Sequence, residues 1–182
     1  MSIMSDKWIS EMAELNRMIE PFERGLITND VISFGLSSYG YDLRLSNNVI
    51  RYGEIAKIDP KEMSKIPLLE TREEKIEVNG LENILGMSHE YFRIPRGVMG
   101  LCIGKSSYAR MGILINITPL EPEWEGFITI SIINCTKRAV VLYPGEGIAQ
   151  VVFLKGDEEC TVSYKDRKGK YQAQKKIEIT KV

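Results

Sequence analysis

Within Phe127-Ile128-Thr129-Ile130-Ser131-Ile132-Ile133-Asn134, three isoleucines alternate with Thr129 and Ser131. Side chains alternate across an extended strand, so Ile128, Ile130 and Ile132 share one face and Thr129 and Ser131 the other. If the isoleucines fill a barrel core, Ser131 faces a different environment, where a site can sit. Short β-type runs separated by turn residues lie on both sides of this stretch. Gly97–Ile103, Ile113–Ile117, Val140–Tyr143 and Ile148–Leu154 read as short strands, the last two flanking the turn Pro144-Gly145-Glu146-Gly147. Short strands separated by Gly/Pro turns, without βαβ alternation, predict an all-β sandwich or barrel.

Further upstream the periodicity breaks. Leu26 to Asn48 is rich in Gly, Ser and Asn and reads as loops and short strands. Ser5 is placed to cap a short helix with Trp8, Met12, Leu15 and Ile19 on one stripe, ending at Pro21. The 182 residues suit one domain over 1–182, with no repeat and no linker.

Charge and cysteine content narrow the function. A net charge of −1 leaves no electrostatic footprint for nucleic acid or an anionic membrane, so any bound anion must meet a local cluster of cations. Tyr164 to Lys176 supplies such a cluster, with Lys165, Arg167, Lys168, Lys170, Lys175 and Lys176 against Asp166. This segment reads either as a solvated tail or as one that orders over a polyanion. Cys102, Cys135 and Cys160 form neither a disulfide framework nor a CxxC pair, as expected of a reduced, cytoplasmic chain. Charges throughout the first twenty residues leave no apolar signal-peptide core, and no run of 18 apolar residues occurs, so a soluble protein is expected.

The single histidine, His89, is followed by Glu90-Tyr91 and has no cysteine pair to complete a zinc deaminase site. Nor does a GxSxG elbow lie near it, so it reads as a strand-edge surface residue, and metal-free carboxylate chemistry is expected instead. Gly104-Lys105-Ser106-Ser107-Tyr108-Ala109-Arg110 brackets two hydroxyls with two cations, suited to phosphate oxygens although it is no P-loop. Thr118-Pro119-Leu120-Glu121-Pro122-Glu123-Trp124-Glu125-Gly126 holds carboxylates between prolines, either as a solvated acidic turn or as a means of ordering a water or sugar hydroxyl.

Together these segments resemble the dCTP deaminase family, which shares its fold with trimeric dUTPases. The resemblance rests on Ser38-Tyr39-Gly40-Tyr41-Asp42-Leu43-Arg44-Leu45, Gly104 to Arg110 and Thr118 to Gly126. It continues through Gly145-Glu146-Gly147-Ile148-Ala149-Gln150, Tyr164 and Lys170-Tyr171-Gln172-Ala173-Gln174. It implies a distorted jelly-roll β-barrel of the dUTPase-like type with a short N-terminal helix, assembled as a homotrimer with sites between subunits. It implies dCTP or dUTP as ligand, dTTP as a candidate inhibitor, and Mg²⁺ held through the triphosphate with no zinc and no protein cage. Lys105, Ser106, Ser107 and Arg110 would bind phosphates, and Gln150, Tyr164, Lys170 and Gln174 would close over them. Main-chain groups around Thr129, Ile130 and Ser131 would read the pyrimidine, Trp124 would shape the wall, and Glu121 would lie near the sugar as a water-orienting group.

One departure stands out. The family expectation is a glutamate five residues beyond the glycine of the Trp-x-Gly turn, shuttling protons during deamination, and that position is Ser131. A hydroxyl is too weakly basic for this task, which is commonly worth about 10²–10⁴-fold. Three readings follow: a dCTP deaminase working without that glutamate, a dUTPase-like pyrophosphohydrolase using Glu121, and a trimeric nucleotide-binding protein or sensor without turnover.

Overall fold

Ile128, Ile130 and Ile132 are 2%, 0% and 0% exposed in the computed structural model, which describes residues 2–181. In chain order the elements begin with β1 (Ser2–Ile3), α1 (Asp6–Asn16), β2 (Ile19–Glu20), β3 (Leu26–Ile27) and β4 (Phe34–Ser37). Next come β5 (Gly40–Tyr52), β6 (Leu68–Arg72), β7 (Ile76–Val78) and β8 (Asn83–Arg93). The order finishes with β9 (Val98–Gly104), α2 (Ser106–Ala109), β10 (Ile113–Asn116), β11 (Glu125–Asn134), β12 (Val140–Leu142) and β13 (Gly147–Lys155).

The long strand β5 curls the sheet. Tyr41 to Arg44 pair with β13, whereas Leu45 to Arg51 pair with β8, with a register shift between Leu45 and Val49. β13 pairs with β9 on its other side, and β8 carries the ladder on to β11 and β10, all antiparallel. One strand thus serves both halves of the sheet, and the enclosed core includes Tyr41, Leu43, Phe92, Ile130, Ile148 and Phe153. This is the distorted jelly-roll barrel expected from the sequence.

The strands foreseen after Ile94 all form, within a residue or two of their expected bounds. Upstream the outcome differs. Instead of only loops and short strands, the Leu26–Asn48 stretch contains most of β5, and β6, β7 and β8 also precede Ile94. In β8, Ile84 to Ser88 are all buried, and in β5 even Asp42 is 3% exposed. Strands covered on both faces lose the period-two signal that marked β11.

The helix also departs from expectation. It stops at Asn16, where Arg17 adopts a left-handed conformation (φ 53°) and returns its N–H to Met12 O. Ile9 and Ala13 are the buried residues, Leu15 is 73% exposed, and Ile19 lies beyond the helix on β2. Ser5 occupies the N-cap position without a side-chain capping bond. His89 is exposed, but β8 is an interior strand, paired with β5 and β11, not an edge. Among the described residues no helix is long and apolar enough to cross a membrane.

Candidate functional site

Thr129 and Ser131 point out of the core, into a cavity of about 680 Å³. β10 pairs with β11 only from Ser131 onward, which leaves the neighbouring edge of β11 outside that ladder. The C-terminal segment lies along this part of β11. Phe127 donates its N–H to Gln174 O (2.9 Å), and Gly126 and Gln174 form an isolated parallel bridge. The Trp124 indole Nε1 donates to Tyr171 O at 2.9 Å, and Gln172 Nε2 donates to Glu123 O at 3.0 Å. The Tyr164 hydroxyl accepts the Tyr171 N–H at 2.9 Å. Thr129 Oγ1 accepts from Gln174 Nε2 and from the Glu178 N–H, the latter at 3.1 Å. The basic tail is therefore docked on its own chain through main-chain and side-chain hydrogen bonds, not left as a solvated extension.

Seven of the expected side chains meet here: Glu121, Trp124, Thr129, Ser131, Tyr164, Lys170 and Gln174. Ile130 presents its side chain to the core, so only its main chain is available for recognition. The Ser131 hydroxyl donates to Asn83 Oδ1 at 3.1 Å. Glu121 is ion-paired with the Arg167 guanidinium, which also lies 5.2 Å from the Tyr164 ring centroid. Lys170 sits 5.5 Å from the Tyr171 ring centroid, with its ammonium donating to the Lys181 carbonyl.

The other expected residues are elsewhere. Lys105, Ser106, Ser107, Arg110 and Gln150 do not line this cavity. Ser106 and Arg110 are exposed on and just after the four-residue helix α2. The Lys105 ammonium is engaged by Asp42 Oδ2 at 2.5 Å and Ser33 Oγ at 2.8 Å. Gln150 Nε2 donates to Asp42 Oδ1 and Ser37 Oγ, both at 3.0 Å, so it belongs with Lys105 and not with the tail. Asp42, within the quoted Tyr-Asp-Leu-Arg motif, is the hub of this network, a role that sequence spacing alone did not reveal.

His89 is also absent from the cavity wall, and desolvation, then the nearby Arg44 cation, lowers its pKa. Burial pushes the Cys102 thiol up to about 12, which keeps it protonated and unreactive near neutral pH. Among the described residues no three His, Cys, Asp or Glu side chains cluster as metal ligands. The cavity itself is lined by carboxylates, hydroxyls and cationic side chains.

A 2'-deoxycytidine 5'-triphosphate deaminase from Agrobacterium tumefaciens superposes with a TM-score of 0.62 at 15% identity, covering 85% of this chain and 48% of that one. That likeness identifies the fold class as the dCTP deaminase type of β-barrel. Sequence comparison is more specific. The family model described as dCTP deaminase-like matches residues 3–156. A dCTP deaminase from Acidobacterium capsulatum is 48% identical over the full length of both chains. One from Neorickettsia sennetsu is 47% identical over 98% of each. The chain belongs to the dCTP deaminase-like family, a family of hydrolases acting in nucleotide metabolism.

Proposed function

We propose that this chain binds dCTP as a homotrimer and hydrolyses its amino group to give dUTP and ammonia. The observation that carries this reading is the cavity on the outward face of β11, with Thr129, Ser131 and the main chain between them as a hydrogen-bonding wall beside Trp124. A strand edge offers fixed donors and acceptors, suited to reading the edge of a pyrimidine. Lys170 and Arg167 line the same cavity and give an anionic ligand cationic partners. The hydroxyls of Ser106 and Ser107 and the Arg110 guanidinium suit phosphate oxygens, and in a trimer this loop would be supplied to the cavity by a neighbouring copy. Mg²⁺ would be carried on the triphosphate, countering its charge, in keeping with a donor set of phosphates and water and not a protein cage.

Pyrophosphohydrolysis of dUTP receives less support, because its candidate base Glu121 is held by Arg167. Incubation of the protein with dCTP, and separately with dUTP, in the presence of Mg²⁺ separates the readings. Ammonia from dCTP is the expected product. Diphosphate from dUTP would replace this reading with a dUTPase one, and binding without either product would replace it with a sensor.

A further inference from the structure

We propose that Glu178, delivered by the C-terminal tail, is the proton-transferring carboxylate of this site, in place of the glutamate expected at Ser131. The inference rests on the deaminase reading above. The Ser131 hydroxyl is committed to Asn83 Oδ1 and is too weak a base in any case. Two carboxylates, Glu121 and Glu178, are among the residues that line the cavity. Both are ion-paired, Glu121 with Arg167 and Glu178 with Lys181, but the Glu121 side chain is 39% exposed. Glu178 is more sheltered, at 19% side-chain exposure, with the Lys181 ammonium 2.7 Å from Oε2.

The anchoring of Glu178 ties it to the reacting face. Its N–H donates to Thr129 Oγ1 at 3.1 Å, and Thr129 is two residues from Ser131 on the same side of β11. Successive same-face residues of a strand lie about 7 Å apart, so the tail brings this carboxylate to the stretch of wall where the base is required. Lys181 counters its charge without filling both carboxylate oxygens.

The proton transfers balance with no further reactant. Water oxygen bonds to C4 of the cytosine, one water proton passes to the Glu178 carboxylate, and that proton moves to ring nitrogen N3. The remaining hydroxyl proton then travels by the same carboxylate to the amino nitrogen. The C4–N bond breaks, ammonia leaves, C4 becomes a carbonyl, N3 keeps its proton, and the carboxylate is returned ionised.

The test is Glu178→Gln, with turnover followed by ammonia release and dCTP affinity followed by calorimetry. The expected result is a fall of about 10²–10⁴-fold in kcat with dCTP binding essentially retained. If the glutamine variant loosens the tail and weakens binding, Ser131→Glu in the same background decides: regained ammonia release supports the assignment, and none overturns it. A parent chain that deaminates while Glu178→Gln is equally fast overturns this inference alone. A parent chain that binds dCTP but releases no ammonia overturns the deaminase reading along with it.

Discussion

Arg44 and Glu90 face each other across β5 and β8, with Arg44 Nε donating to Glu90 Oε1 at 2.6 Å and the Arg44 N–H to Oε2 at 2.9 Å. The guanidinium also lies 4.9 Å from the Phe34 ring centroid, and the Glu90 side chain is fully buried. Desolvation raises the Glu90 pKa, and the hydrogen bonds and charge of Arg44 oppose that rise only in part. An acid whose pKa is raised on folding holds its proton better in the folded chain than in the unfolded one. Stability contributed by this group therefore falls as pH rises from the ordinary value of 4.5 through the raised one. Arg44→Ala removes the opposing charge and should destabilise the fold by about 3–5 kcal/mol near neutral pH, as for other broken buried pairs. The deficit should narrow on acidification, because a protonated Glu90 leaves no bare charge. Urea unfolding at neutral and mildly acid pH measures both effects, and a deficit independent of pH would contradict this account.

At the level of elements, the association of the tail with β11 decides whether the cavity exists. Gly126 has φ +149°, and a Cβ there would lie 2.8 Å from Gln174 Cβ and 2.9 Å from Gln174 N. The parallel bridge between the two residues leaves no room for a side chain. Gly126→Ala should therefore lift the tail from its strand while the barrel core remains. Amide-exchange protection between Tyr171 and Glu178 should fall by about tenfold or more, equivalent to about 1.4 kcal/mol of local opening. Unchanged protection would mean that the tail is held by its other contacts. Elements of this kind were the hardest to read from sequence. β11 announced itself because one face is apolar and the other is not, and β13 because an apolar run follows the Gly/Pro turn at 144–147. β5 and β8 were hidden by burial on both faces, with Asp42, Arg44 and Glu90 breaking the apolar pattern although each is neutralised in the fold. The tail docks through main-chain acceptors such as Tyr171 O and Glu123 O, which any sequence could supply. Glu178 lies outside every motif, and only the fold shows that it shares a cavity with Ser131.

On the scale of the whole molecule, the two sets of residues expected to bind nucleotide are divided. The β11 face and the tail line one cavity, and the loop from Lys105 to Arg110 belongs to a separate region of the same chain. If a site forms where the cavity of one copy meets the loop of the next, damage to the two halves can be complemented between chains. Arg110→Ala chains keep a normal cavity, whereas chains truncated after Tyr164 keep a normal loop. Each should be largely inactive alone, the first through loss of a phosphate contact and the second through loss of the cavity's outer wall. Unfolding an equal mixture and refolding it together would assemble mixed trimers. In a ring closed by heterologous contacts, about a quarter of the sites would join an intact cavity to an intact loop, so about a quarter of parental ammonia release should return. Sites contained within one chain would each carry one lesion or the other, and co-refolding would restore nothing. Native mass measurement of the same mixture fixes the assembly at three copies of the 20.7 kDa chain or replaces that number. The recovered rate then reports whether Arg110 acts on its own cavity or on a neighbour's.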